Sequence, residues 1–156
     1  MAKTTTNPFT QSIRNSYISL TQASGAITAA SGLASLSPTS GLYPLFTAGP
    51  EGSVIKGITA STDDTVLKNI AFYSSPDGGT NKYLIGSTQA AVTAGFAALT
   101  ANTDVLNNTY LVGLPIDQTS RQCLPLASGV SLWAGLTTAV STSTKGVHIA
   151  VYGEDF

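Results

Sequence analysis

The sequence has little of the chemistry that most enzymes and nucleic-acid binders use. Only 10% of its 156 residues are charged, and the formal net charge is -1. Nucleic-acid binders displace counterions with clustered lysine and arginine, so this composition argues against nucleic acid as a partner. No apolar run reaches the roughly 18 residues that a membrane-spanning helix needs, so we predict no membrane association.

Cysteine and histidine are each present once, as Cys123 and His148. One cysteine cannot form an internal disulfide, and two candidate ligands fall short of the usual four of a structural zinc site. We therefore predict no metal and no cofactor. The segment after Met1 lacks the apolar core of a signal peptide, so we expect synthesis and folding in a reducing cytoplasm.

Catalytic motifs are also scarce. His148 is the single candidate base, and it falls mid-strand in the phase opposite the apolar residues, which favours a solvent or interface position. Nothing near Cys123 in sequence would activate its thiol, so we interpret it as structural. Nucleophile-elbow and phosphate-loop patterns are missing. We predict that the protein is not an enzyme, with no catalytic residues and no small-molecule substrate. The number of carboxylates in the sequence does not by itself exclude a glycosidase site built from two of them.

Ser and Thr make up about a quarter of the chain, and the first 50 residues are especially poor in charge. No charged residue lies between Arg14 and Glu51, and residues 21–37 are mostly Ala, Ser and Gly. Such small side chains offset little of the roughly 1–2 kcal/mol that ordering each backbone residue costs. We predict an extended, low-charge arm over residues 1–50, ordered where it docks, with a passive flexible tail as the alternative. Its expected partner contacts are Phe9, Ile13, Arg14, Tyr17 and Ile18.

A β-domain is predicted over residues 51–156, where short alternating segments are separated by turn residues. The expected strands are 53–60, 66–74, 82–87, 105–113, 123–126, 130–136 and 146–152. The order Pro76-Asp77-Gly78-Gly79 favours a hairpin turn between the second and third of them. Without a long helical period, this pattern predicts an all-β fold, an antiparallel, jelly-roll-like β-sandwich. The predicted core residues are Ile58, Ile70, Phe72, Leu84, Tyr110, Val112, Leu132, Ile149 and Val151.

Three segments of the β-domain carry a family resemblance: FYSSPDGGTNK at 72–82, LPLASGVSLWAGL at 124–136 and VHIAVYGEDF at 147–156. In this order, after an uncharged arm, they resemble the small jelly-roll-like decoration, or cement, proteins of tailed bacteriophage capsids. The resemblance covers roughly residues 52–156. It implies a structural virion protein that binds the major capsid protein on the outer capsid surface as a homotrimer, and that stabilises contacts between capsid subunits.

Two other classes of function stay open from the sequence. A receptor- or glycan-binding β-domain of a tail fibre or baseplate shares the Ser, Thr and Gly content and the β-structure. Such domains usually expose clustered aromatic residues, whereas Trp133 is the one tryptophan here. A small hydrolase, the third possibility, would need a polar cleft that the sequence does not reveal.

Overall fold

The computed structural model describes residues 12–28, 38, 40–92, 103–107, 111, 114–117 and 120–156. These residues form nine strands, one turn of 3-10 helix at Gln22–Ser24 and no α-helix. The strands are β1 (Ser12–Thr21), β2 (Leu42–Thr47), β3 (Ser53–Thr62), β4 (Lys68–Ser75), β5 (Tyr83–Val92), β6 (Thr103–Asp104), β7 (Leu124–Leu126), β8 (Ser131–Leu136) and β9 (Gly146–Asp155).

The strands make two antiparallel sheets that pack face to face. In the first sheet the order is β1-β9-β3, and the short strands β6 and β7 pair with the far side of β3. In the second sheet the order is β5-β4-β8-β2. One short parallel pairing, Ser61–Thr62 with Ala91–Val92, joins the sheets at a corner. The predicted all-β sandwich is confirmed.

Most of the predicted core residues lie between the two sheets. Six of them are buried: Ile58, Ile70, Phe72, Leu132, Ile149 and Val151. Period-2 alternation identified them because one face of each strand is buried and the other is not. Tyr110 and Val112 lie outside the described residues.

Leu84 was placed in the core by the sequence pattern, and this prediction is wrong, since the side chain is 49% exposed. The register of β4 against β5 shifts between Phe72 and Tyr73. Phe72 lies opposite Gly86, but Tyr73 lies opposite Leu84. Directly opposite residues share a face, so the bulge moves Leu84 to the face that Phe72 does not occupy.

The strand predicted over residues 105–113 is also wrong in its described part. After the two residues of β6, the chain turns: the Leu106 amide donates to Asp104 Oδ1 at 3.1 Å, and Asn107 Nδ2 donates to the Asp104 carbonyl at 2.7 Å. Asp and Asn side chains that bond nearby backbone in this way compete with strand pairing. Val105 and Leu106 are both buried nonetheless, whereas a strand with one buried face would bury only one of two adjacent residues.

The described residues before position 50 are part of the sandwich. β1 pairs with β9 over ten residues in unbroken register, and β2 pairs with β8. Their side chains Leu20, Leu45 and Phe46 are buried in the shared core. Each sheet therefore contains a strand from the predicted arm, and the boundary proposed at residue 50 passes through the sandwich. Most of the Ala-Ser-Gly tract and Phe9 lie outside the described residues.

The predicted hairpin between β4 and β5 is confirmed. Asp77 organises its turn, because Oδ1 accepts from the Ser75 hydroxyl at 2.9 Å and from the Asn81 amide at 2.8 Å. The Asn81 amide is the main reason that the pKa of Asp77 is lowered. Gly79 has φ +99°, and a Cβ there would lie 2.4 Å from Cζ2 of Trp133. The hairpin can therefore fold over Trp133 only with glycine at this position.

A buried ion pair fixes the corner that leads into β4. Lys68 Nζ lies 3.2 Å from Asp64 Oδ2, and both side chains are almost fully buried. Asp64 also accepts from the Ser141 amide at 2.8 Å and from the Ser141 hydroxyl at 2.7 Å, and Lys68 donates to the Ala139 carbonyl at 2.9 Å. These bonds join the loop before β4 to the loop between β8 and β9, with each buried charge compensated.

Candidate interaction surface

The first sheet presents one face to the core and the other to the outside, and we call the second of these the outer face. Alternation along β9 buries Val147, Ile149 and Val151. It leaves the residues between them outside, and β1 and β3 follow the same rule. The outer face consists of Ile13, Asn15, Tyr17 and Ser19 from β1, His148, Ala150, Tyr152 and Glu154 from β9, and Val54, Lys56, Gly57, Thr59 and Ser61 from β3.

Charge on the outer face is already paired. Lys56 Nζ lies 2.7 Å from Glu154 Oε2, on neighbouring strands. The Ser19 hydroxyl lies 2.7 Å from His148 Nδ1, where β1 and β9 pair. A surface with paired charges has less hydration to lose when another protein covers it.

Two tyrosines give the outer face its apolar area. The rings of Tyr17 and Tyr152 meet edge to face, with centroids 6.4 Å apart and planes at 89°. Tyr17 is 65% exposed, Tyr152 is 42% exposed and Ile13 beside them is 78% exposed. Gly57 lies opposite Tyr152 on β3, and a Cβ there would be in ordinary van der Waals contact with Tyr152 Cδ2, at 3.5 Å. Aromatic side chains exposed on a face of low charge are typical of protein interfaces.

Arg14 clamps β1 to the second sheet. Its Nη1 donates to the Thr47 carbonyl at 2.9 Å and to Asp155 Oδ2 at 3.1 Å, and the guanidinium lies 5.1 Å from the centre of the Phe46 ring. Burial of the Asp155 carboxyl opposes ionisation, but hydrogen bonds from Ser53 and Arg14 outweigh it, and the pKa of Asp155 is lowered. Arg14 thus forms an ion pair within the first sheet and reaches the second sheet through the Thr47 carbonyl and the Phe46 ring.

A shallow groove of about 250 Å³ lies between the edges of β1 and β2. Its lining residues are Arg14, Asn15, Ser16, Pro44, Leu45, Phe46 and Thr47. The groove has the size of one or two side chains, and Arg14, its charged residue, is engaged by Asp155.

The five residues predicted to contact a partner have different positions. Ile13 and Tyr17 extend from the outer face, Arg14 forms the clamp, and Ile18 packs against the core from the inner side of β1. Phe9 lies outside the described residues. The structure therefore brings Ile13 and Tyr17 together on one surface and assigns Arg14 and Ile18 to contacts inside the sandwich.

Sequence reasoning missed Tyr152, Glu154 and Lys56 as members of this surface. The expected last strand ended at Tyr152, whereas β9 continues to Asp155. The signal was present, since Tyr152 and Glu154 continue the phase of His148 along the strand. The sequence could not show that β1 and β3 flank β9, which places Tyr17 and Lys56 beside Tyr152 and Glu154.

The residues weighed for catalysis occupy two separate places. His148 and Ser19 lie on the flat outer face, outside the groove. Cys123 is buried with its Sγ 3.6 Å from the Pro115 carbonyl, and burial raises the pKa of the thiol, so the thiol stays protonated at neutral pH. Within the described ranges, no three His, Cys, Asp or Glu side chains form a cluster that could hold a metal ion.

In comparisons with known proteins, one solved structure shows a low similarity to this chain. No family model and no curated protein matches the chain. Among solved structures, the chain is similar to a chain of the cyanophage Pam1 capsid asymmetric unit, with 14% identity and a TM-score of 0.38. The match covers 93% of this chain and 84% of that chain. In the part of the chain that the structure describes, no helix is long and apolar enough to cross a membrane.

Proposed function

We propose that this protein is a structural virion component that binds the outer surface of a phage capsid and stabilises contacts between major capsid subunits. The outer face of the first sheet carries the proposal, because it combines exposed Ile13, Tyr17 and Tyr152 with charges that are paired within the chain. A face of this kind loses less hydration free energy when a protein covers it than a face with unpaired charges would. The sequence resemblance to decoration proteins points to the same role.

The proposed partners are the major capsid protein and two further copies of this chain. A homotrimer presents three outer faces to a repeating lattice, and linked binding sites can multiply a weak single contact by about 10²–10⁴. Ile13 and Tyr17 are the residues of the predicted arm that would contact the capsid, since Arg14 and Ile18 serve inside the sandwich.

Electron microscopy of capsids incubated with and without the protein tests this function. We expect added density over the shell at threefold or quasi-threefold positions. Tyr152→Ala should weaken shell binding about tenfold or more, which corresponds to a loss of about 1.4 kcal/mol. Tyr83→Ala is the matched control, because Tyr83 is 57% exposed but belongs to the second sheet. Absence of shell density, or equal weakening by both variants, contradicts the proposal.

One observation favours the second candidate, a glycan-binding domain of a tail fibre or baseplate. The exposed pair of Tyr17 and Tyr152 offers aromatic surface on which a sugar ring could stack. Under this alternative, density appears at the tail, and the purified chain binds host-surface glycans with an affinity that Tyr17→Ala abolishes. Binding to shells that carry no glycan argues against it.

A further inference from the structure

The outer edge of β1 lacks the features that normally protect a strand edge. β1 pairs with β9 on one side, and no described segment pairs with its other side. Exposed edges are usually protected by proline, lysine or a bulge. Over Ser12–Thr21 there is no proline and no lysine, and the register against β9 has no shift. Its one charge, Arg14, is engaged by Asp155.

The neighbouring edge strand of the second sheet, β2, does have protective features, unlike β1. β2 carries Pro44, which has no amide to donate, and its register against β8 shifts between Pro44 and Phe46. Both features oppose the addition of a further strand at β2. Of the two edges that flank the groove, β1 is therefore the one that can accept a strand.

The sequence of β1 also indicates which strand it accepts. Ile13 and Tyr17 are the most exposed large apolar side chains of β1, and they lie two residues before and two residues after Asn15. When two copies of β1 pair antiparallel about a two-fold axis at Asn15, Ile13 of each copy lies opposite Tyr17 of the other. Opposite residues of antiparallel strands share a face, so both pairs lie on the outer side.

We propose that two copies of this chain associate through their β1 edges in this register. The contact is isologous, with the same residues used twice, as closed two-fold interfaces require. On the inner side the same register places Arg14 opposite Ser16, so that no two like charges are directly opposed. The outer faces of both copies then form one continuous surface. This association forms without capsids, although it uses Ile13 and Tyr17, which the proposed function also assigns to capsid contact. It would link predicted trimers in pairs.

Sedimentation of the full chain without capsids tests the pairing. We expect dimers, or hexamers if the trimer also forms, and about tenfold or greater weakening of the two-fold contact by Ile13→Lys or by Tyr17→Glu. The double variant places opposite charges across the axis twice, and it should restore association to within about threefold of the original chain. Val66→Lys is the control, since Val66 is 56% exposed in a loop.

Cross-linking fixes the register. Asn15→Cys places a thiol opposite its own copy, where Cα atoms of antiparallel partners lie about 4.5–5.5 Å apart, within the range of a disulfide. Mild oxidation should link this variant into covalent pairs, while Ser19→Cys on the same face stays unlinked. A monomer, an oligomer whose mass Ile13→Lys and Tyr17→Glu leave unchanged, or equal cross-linking of both cysteine variants overturns the proposal. Capsid binding by a monomeric chain would overturn the pairing and leave the proposed function standing.

Discussion

At the scale of single residues, hydrogen bonds and an ion pair between buried polar groups stabilise the loops at one corner of the sandwich. Asp64 and Lys68 illustrate this, because each has an ionic partner and further hydrogen bonds across the corner. The Ser141 amide is the main cause of the lowered pKa of Asp64, and its effect with that of the Ser141 hydroxyl and Lys68 exceeds the opposing effect of burial. The carboxylate is therefore more stable in the folded chain than in the unfolded chain.

Acid should weaken this corner. A carboxyl whose pKa is lowered by folding stabilises the fold above its ordinary value of 3.8, and this stabilisation is lost as the pH falls below that value. We expect Asp64→Asn to cost about 3 kcal/mol at neutral pH, because Lys68 is left buried without its partner, and to reduce the loss of stability below pH 4. Urea unfolding across pH 3–7 measures both.

The control for this prediction is Asp104→Asn, which changes an exposed turn carboxylate. It should cost well under half as much as Asp64→Asn at neutral pH. Equal stability changes for the two variants would show that the buried pair has no special role.

Gly79 shows how a single glycine sets the conformation of the hairpin. Gly79→Ala combines a strained backbone with a collision against Trp133, so we expect a loss of about 2–4 kcal/mol. Gly78→Ala is the matched comparison, because Gly78 has φ +68° and open space around its missing Cβ. Only the strain of about 1 kcal/mol should appear there. Denaturation followed by the fluorescence of Trp133 distinguishes the two, and equal losses would contradict the steric account.

At the scale of secondary-structure elements, β1 has two different faces. Leu20 on the inner side is 1% exposed and belongs to the core, whereas Ile13 on the outer side is 78% exposed. Strands with one buried face show this pattern, and register follows from it. β1 thus contributes both to stability and to the candidate surface.

Substitutions on the two sides of β1 should separate these roles. Leu20→Ala is expected to lower the free energy of unfolding by about 2–5 kcal/mol, since it removes buried methyl groups. Ile13→Ala should change it by less than about 0.5 kcal/mol. Chemical denaturation measures both. If Leu20→Ala were as mild as Ile13→Ala, β1 would be a dispensable strand rather than part of the cooperative fold.

At the scale of the whole molecule, one core serves both sheets. Side chains from β1, β3 and β9 on one side and from β2, β4 and β8 on the other belong to a single cluster of buried residues. Arg14 and the parallel pairing of β3 with β5 add links at the edges. A domain of this size with one core normally unfolds in a single cooperative step.

Ile149 lies in the first sheet. We therefore expect Ile149→Ala to lower the stability of both sheets against unfolding by the same amount. The substitution should cost about 2–5 kcal/mol. The fluorescence of Trp133 in β8 and the far-ultraviolet signal of the whole chain should report the same shift. His148→Ala is the control from the same strand, and being exposed it should change stability by less than about 0.5 kcal/mol. A Trp133 transition that does not move with Ile149→Ala would mean that the sheets unfold separately.

The sequence by itself determined the fold class, the hairpin and most of the core. Alternation identified Ile58, Phe72 and Ile149 as buried, and the turn around Asp77 was readable because its residue types have strong local preferences. These features depend on neighbours that are close in the chain. Ile13 and Tyr17 were predicted as partner contacts of an extended arm, and both are exposed on the outer face.

Only the tertiary structure decided what depends on pairing between distant residues. A bulge between β4 and β5 places Leu84 outside the core. β1 belongs to the first sheet because it pairs in register over ten residues with β9, which lies some 130 positions later in the chain. Tyr17 and Tyr152 became one surface by the same pairing. Sequence alternation determines which side of a strand is apolar. It does not determine which strand lies beside it, because strand pairing depends on how the whole core packs.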